Sequence, residues 1–158
     1  MAGMTNRLVL VAILGLPIAI AAAVYGPAAF DLVMHRRPPE RYLIPGGYTG
    51  WVRIDFRQAN APPLSTEGGH RVIKFGLDGT VRTSSGPAPG HGRDEFFSYS
   101  ASGLVPLSNA GVCKGGTIWG VETMVDDRTS KPFTRFYVGS ENQYRHEVDP
   151  GRKAPACE

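Results

Sequence analysis

The sequence predicts an all-β domain, a small β-sandwich, preceded by one N-terminal transmembrane or signal helix and followed by a short C-terminal helix. Three observations favour this architecture. Gly and Pro are frequent, with 20 and 13 residues among 158, which suits short strands joined by tight turns. Aromatic and β-branched residues recur in alternating runs through the middle of the chain. The beginning of the chain is instead a continuous apolar stretch of helical length.

The apolar stretch covers residues 8–25, carries no charge and follows Arg7. It is about the minimum length that crosses the ~30 Å hydrocarbon core as a helix. A cleavable signal peptide would be cut after the small residues 21–23. An uncleaved anchor would extend over residues 8–34 and end at the basic flank. We favour the anchor because apolar residues continue beyond the plausible cleavage site.

The predicted location is the cell membrane, single-pass, with the domain facing the periplasm or the exterior; secretion after cleavage is the alternative. Arg36, Arg37 and Arg41 outnumber Arg7, and basic residues beside a membrane helix tend to stay cytoplasmic. A cytoplasmic location of the domain therefore remains an open alternative. We expect export, because an apolar N-terminal segment before a Gly- and Pro-rich β domain is typical of exported proteins.

The chain divides into three predicted regions. Residues 1–37 are the signal peptide or anchor with its basic flank, residues 42–148 are the β domain, and residues 149–158 are a disordered tail. Paired prolines make residues 36–41 a stiff spacer between the first two regions.

Alternation predicts the first strand over residues 51–57, since Val52, Ile54 and Phe56 share one face and charged residues the other. Asp-Gly at positions 78–79 predicts a hairpin in which residues 80–83 pair back on residues 71–75.

Three further strands are predicted over residues 95–100, 116–125 and 133–138. Ser140 and Gln143 have the spacing of a capping box, which predicts one or two helical turns over residues 140–147.

Charge argues against nucleic acid as a partner. Three of the 17 Lys and Arg residues flank the apolar stretch, which leaves 14 basic against 13 acidic residues from Pro38 onward. Interspersed charges of both signs indicate a solvated surface and do not form a phosphate-binding face. The predicted partners are the membrane, through residues 8–34, and an unidentified protein or envelope ligand.

From residue 42 onward the chain resembles an uncharacterised bacterial family, domain of unknown function 6843. The resemblance rests on five stretches, which are YLIPGGYTGWVRIDF (42–56), VIKFGLDGTVRTSS (72–85), DEFFSYS (94–100), TIWG (117–120) and FYVGSENQY (136–144). It implies a small β domain behind an N-terminal signal or membrane segment, and no established activity. The opening IPGGYTGWVRI is also similar to transthyretin-like and carboxypeptidase regulatory-like sandwiches, an analogy of fold only.

No catalytic residue, metal site or cofactor is predicted. His91, Arg93 and Asp94 lie in one loop and could bind a ligand or a metal, although no second His or Cys follows at ligand spacing. Trp51 and Trp119 could line a sugar or peptide groove if they are exposed; at strand positions tryptophan is more often core.

Cys113 and Cys157 are the two cysteines and could form one disulfide outside the cytoplasm. These observations favour a non-catalytic binding or accessory module. The alternative is a small extracytoplasmic hydrolase that acts on envelope material.

Overall fold

The computed structural model describes residues 36–90, 92–148 and 150. The predicted anchor over residues 8–34, the predicted tail over 149–158 apart from Pro150, and His91 lie outside the described residues. The chain divides into two compact units. Residues 36–37 and 89–90 belong to one, in which Arg37 Nε donates to the Gly90 carbonyl at 3.2 Å. Residues 38–88 and 92–148 belong to the other, the β domain.

The β domain contains nine strands and one short helix among the residues that the structure describes. They are β1 (Glu40–Pro45), β2 (Gly50–Asp55), β3 (Ser65–Glu67), β4 (His70–Lys74), β5 (Thr80–Arg82), β6 (Glu95–Ser100), β7 (Gly103–Pro106), β8 (Ile118–Val125), β9 (Pro132–Val138) and α1 (Glu141–Val148). The predicted β class and C-terminal helix are confirmed.

The strands form two mixed sheets. The five-stranded sheet has the order β3-β4-β1-β6-β7, with β1 parallel to both β4 and β6. The four-stranded sheet has the order β5-β2-β9-β8, in which β2 is parallel to β5 and antiparallel to β9.

Both sheets contribute to one hydrophobic core. The fully buried Phe136 of β9 packs edge-on against three rings that the five-stranded sheet and its continuation supply, those of Tyr42, Phe75 and Phe96, at centroid distances of 5.4–5.8 Å. Such edge-to-face pairs add to the stabilisation from area burial. The remaining members of the core cluster are Ile44, Val52, Ile54, Phe56, Ile73, Ile118 and Val138.

The predicted hairpin at Asp78-Gly79 is wrong, although the turn itself forms. Gly79 N–H donates to the Gly76 carbonyl at 3.1 Å, and Thr80 N–H donates to Asp78 Oδ1 at 3.2 Å. The chain then crosses to the other sheet, where β5 runs parallel to β2 and Val81 lies beside Ile54. The reason is that a turn signal sets a change of direction but does not choose the strand that pairs next.

The sequence patterns also missed three strands, β1, β3 and β7. Residues 40–41 were predicted as spacer, yet they begin β1 at the centre of the five-stranded sheet. Strands β3 and β7 lie at the two edges of that sheet and are exposed along their whole length. An edge strand without a buried face has no apolar alternation to read.

Candidate functional site

An aromatic cluster lies on the outer face of the four-stranded sheet, the face away from the core. Strand alternation turns Trp51 to the side opposite Val52. In register, Tyr137 of β9 lies between Trp51 of β2 and Trp119 of β8. We call these residues, together with Arg135 and Tyr144, the Trp51 cluster.

Tyr144 of α1 packs against the other aromatic rings of the cluster. Its ring stacks on Trp119, with centroids 5.8 Å apart and planes 14° apart, and it contacts Trp51 at 6.2 Å and Tyr137 at 5.8 Å. Gly120 permits this approach, because a Cβ there would lie 2.7 Å from Tyr144 Oη. Gly120 has a φ of +60° and lies in the irregularity of β8 between Trp119 and Glu122, where β8 carries an extra residue opposite β9.

Polar contacts hold the helix in this position. Ser140 N–H donates to Gln143 Oε1 at 2.8 Å and Gln143 N–H donates to Ser140 Oγ at 3.3 Å, which is the predicted capping box. The Glu141 carboxylate accepts from Cys113 N–H at 2.8 Å and from the Arg145 guanidinium at 2.8 Å and 2.9 Å. The hydrogen bond from Cys113, followed by that from Arg145, lowers the pKa of Glu141.

Within the cluster, Trp51 is exposed and Trp119 is not. The Trp119 side chain is 5% exposed, and its indole N–H donates to the Gly139 carbonyl at 2.8 Å. Trp51 is 36% exposed, with the Arg135 guanidinium 5.2 Å from its ring centroid. Trp119 is therefore too buried to line a binding groove. Trp51 and Arg135 form the accessible part of the cluster.

The charges next to the cluster are balanced. Arg53 and Arg135 lie opposite each other in register, yet Arg135 pairs with Glu122 while Arg53 pairs with Asp55 at 2.7 Å and Asp126 at 3.0 Å. The hydrogen bond to Asp55 raises the pKa of Arg53, and the Arg53 guanidinium lowers the pKa of Asp126. Ion pairing thus offsets a like-charge contact that would otherwise destabilise the sheet.

Burial changes the pKa of Tyr137, one of the two tyrosines in the cluster. It raises the pKa of Tyr137, and the Glu147 carboxylate raises it further. An ordinary phenol, with a pKa of ~10, is already neutral at physiological pH, and the upward shift makes ionisation of Tyr137 still less favourable.

An open cavity of about 500 Å³ lies beside the start of α1. Its lining includes Tyr48, Thr49, Leu107, Gly116, Gly139 and Gln143. Gly139 also supplies the carbonyl that accepts from Trp119, so the cavity adjoins the base of the Trp51 cluster.

The structure separates the two sets of predicted site residues. Arg93 is exposed in the loop before β6, and the Asp94 side chain accepts from Glu40 N–H at 3.0 Å. This loop lies where β1 begins, whereas Trp51 follows the turn after β1 ends. The length of β1 therefore separates Arg93 and Asp94 from Trp51.

The remaining predicted residues concern metal binding and the disulfide. Over the residues that the structure describes, no group of three or more His, Cys, Asp or Glu could hold a metal ion. Cys113 is not a free thiol; Cys157 lies outside the described residues, so their pairing stays a prediction. No helix in the described part of the chain is long and apolar enough to cross a membrane.

Comparison with models of known protein families shows which family the chain belongs to. Residues 36–147 match the family described as "Family of unknown function (DUF6843)". The chain belongs to this family. Its matched region contains the whole Trp51 cluster, so the cluster lies within the DUF6843 domain. No curated protein matches the chain.

A solved structure shares the fold. It is a crystal structure from Bacillus anthracis described as a "Putative Lipoprotein", 21% identical, with a TM-score of 0.53 over 77% of this chain and 83% of that chain. The DUF6843 domain of this chain therefore has the general fold of the Bacillus anthracis protein.

Sequence reasoning missed Arg135, Tyr137 and Tyr144 as members of the site. One signal was available for Tyr144, because it is the one Phe, Tyr or Trp residue in the helix predicted over residues 140–147. A short polar helix needs an apolar contact to stay in place, and Tyr144 was the side chain able to make it.

Proposed function

We propose that this DUF6843 protein is a non-catalytic binding or accessory module outside the cytoplasm, tethered to the membrane through residues 8–34. The accessible part of the Trp51 cluster, Trp51 with Arg135, is its binding surface. One observation carries this proposal: Trp51 is 36% exposed although three aromatic or guanidinium neighbours hold its ring in place. A rigid, partly exposed tryptophan binds a partner at little cost in side-chain entropy.

The chemistry of the surface favours a protein partner. Trp, Tyr and Arg are the residue types enriched at the centres of protein interfaces. A sugar platform requires an open ring face, and Arg135 lies over one face of Trp51. The Arg135 guanidinium, about half exposed and paired with Glu122, would add hydrogen bonds at the rim of the interface.

The proposed location and fold have separate support. The Bacillus anthracis protein of similar fold is described as a "Putative Lipoprotein", which favours an exported domain. The contacts of Phe136 with rings from the other sheet support a two-sheet sandwich, and the transthyretin-like kind is our proposal for its type. A fusion of alkaline phosphatase after Glu158 should be active if the domain is exported. An inactive fusion, with an active cytoplasmic reporter at the same site, would overturn the location.

The binding surface is tested in the full chain, in native membranes solubilised with mild detergent. We expect Trp51→Ala to abolish the retention of an envelope protein that the wild-type chain retains at a defined stoichiometry. Leu77→Ala is the matched control, since Leu77 is 86% exposed but lies outside the cluster. Equal retention by the wild-type chain and Trp51→Ala, with unchanged melting temperatures, would contradict the proposal.

A further inference from the structure

Strand β8 is an open edge of the four-stranded sheet. It pairs with β9 on one side. On the other side Ile118 N–H donates to the Ser108 carbonyl at 3.0 Å, and no strand among the described residues pairs with the rest of β8. Open edges expose backbone donors and acceptors to other chains, and proteins usually protect them with proline, charged residues such as lysine, or bulges. The sequence of β8, IWGVETMV, contains no proline or lysine, and its bulge ends before Glu122, so that the strand pairs regularly with β9 from Glu122 to Val125.

A row of β-branched side chains follows this edge. Thr123 lies opposite Thr134, on the side of the sheet that carries the core, and alternation places Val121 and Val125 on the same side. Yet Val121 is 50% exposed and Val125 62% exposed. The row therefore extends beyond the part of the sheet that the core covers.

The backbone groups of the same residues face outward. Asp126 N–H donates to the Lys131 carbonyl at 2.9 Å, so the pair 126/131 is hydrogen-bonded. Hydrogen-bonded pairs alternate along an antiparallel ladder, which makes 124/133 and 122/135 the next ones. The peptide groups of Thr123 and Val125 consequently point away from β9.

Strand β7, at one edge of the five-stranded sheet, is less suited to pairing with another chain. Strand β7 also exposes two apolar residues, Leu104 and Val105, but these adjacent residues lie on opposite faces. The strand ends at Pro106, which has no N–H to donate. It therefore lacks the continuous row that β8 presents.

We propose that β8 pairs antiparallel with β8 of a second copy of this chain, about a two-fold axis at Thr123. In this register Val121 faces Val125 of the other copy, and Thr123 faces Thr123. Glu122 falls opposite Met124, so no like charges meet along the row. Self-complementarity of this kind is what an isologous interface requires, and facing β-branched pairs stabilise it.

Cysteine cross-linking in membranes that contain the full chain tests the register. Directly opposite residues in a hydrogen-bonded pair have Cα atoms ~5.5 Å apart, within disulfide range. Thr123→Cys should therefore form a covalent dimer on oxidation. Val121→Cys and Val125→Cys should each stay monomeric, yet cross-link to each other when the two chains are expressed together. The wild-type chain controls for its own cysteines.

Charge reversal tests the interface itself. Val121→Lys with Val125→Lys places lysines opposite each other and should reduce the Thr123→Cys dimer by roughly tenfold or more, since like charges that face each other disfavour an interface. Co-expression with a Val121→Glu, Val125→Glu chain should restore it. Leu104→Lys with Val105→Lys is the matched control on β7 and should leave the dimer unchanged.

Cross-linking of Thr123→Cys no greater than that of the wild-type chain would overturn the proposal, as would a dimer that survives the paired lysines. If the lysine variant fails to fold, Thr123→Cys and the co-expressed Val121→Cys and Val125→Cys chains decide the outcome.

Discussion

At Gly79 the backbone has a φ of +68° and the Tyr48 side chain lies against the position of the missing Cβ. A Cβ there would overlap Tyr48 Oη and lie 3.0 Å from the Trp51 carbonyl oxygen. Backbone strain and steric overlap therefore act together at one residue, in the turn that directs β5 to the second sheet.

We expect Gly79→Ala to lower the free energy of unfolding by about 2–4 kcal/mol, from strain at positive φ and from overpacking. Gly68→Ala is the control: Gly68 has a φ of +55° and nothing within 4 Å, so strain alone should cost about 1 kcal/mol. Denaturant unfolding of the full chain in detergent measures both. Equal losses would show that contact with Tyr48 does not matter.

Glu95 is a second residue whose environment can be tested. Arg41 donates to its Oε2 from Nε at 3.0 Å and from a terminal nitrogen at 2.8 Å, and His70 Nε2 lies 3.5 Å away. The hydrogen bonds from Arg41 are the main reason why the pKa of Glu95 lies below its ordinary value. Such a carboxylate stabilises the fold above its ordinary pKa, and that contribution is lost as the pH falls through the folded-state pKa.

Arg41→Met should raise the pKa of Glu95 towards its ordinary value and weaken the acid-dependent loss of stability. A carbon-detected NMR titration of the glutamate carboxyls measures the shift. Arg82→Met is the control, since Arg82 lies near Asp55 and not Glu95. A Glu95 pKa that does not move in Arg41→Met would contradict the assignment.

At the scale of the element, the capping box determines whether α1 stays on the Trp51 cluster. Ser140→Ala removes the acceptor of Gln143 N–H and should cost about 1 kcal/mol of helix stability. Tyr144 N–H, which donates to the Ser140 carbonyl at 3.0 Å, should then exchange with solvent roughly fivefold faster. Ser140→Asp keeps an acceptor and should exchange at the wild-type rate; equal exchange in all three chains would argue against the cap.

Elements with a half-buried face were readable from the sequence, and β1 was not. Alternation identified β2 through Val52, Ile54 and Phe56, and capping identified α1. In β1 the buried Glu40 occupies a position where alternation requires an apolar residue. Its carboxylate accepts from the Tyr42 hydroxyl at 2.7 Å and lies 3.5 Å from the Arg71 guanidinium. Arg71, on the neighbouring strand β4, is a tertiary partner that makes this burial possible, and no local pattern reveals it.

For the whole molecule, we expect one disulfide between Cys113 and Cys157 in the exported chain. Closing this long loop constrains the unfolded state and should contribute about 2–4 kcal/mol. Mass spectrometry after thiol alkylation should find two modified cysteines only when the chain is first reduced. Cys157→Ser should leave Cys113 modifiable without reduction. Complete alkylation of the unreduced wild-type chain would exclude the disulfide.

The candidate site shows the same division between local and tertiary information. Sequence reasoning selected Trp51 and Trp119 as strand tryptophans that could line a groove. It could not tell which of them is exposed, because Trp119 is covered by Tyr144, 25 positions further along the chain. Arg135 joins the site through its register with β2 and β8, which depends on pairing between distant segments.

Local rules were enough to determine that this chain carries a β domain with a capped C-terminal helix, since alternation, turns and caps each involve residues only a few positions apart. Its membership in an uncharacterised family also followed from sequence. Strand partners, the crossing of β5 to the second sheet, the burial of Glu40 and the assembly of the Trp51 cluster were decided by the tertiary structure alone. Each of them depends on contacts between segments that are distant in sequence, and a linear pattern carries no record of which segments meet.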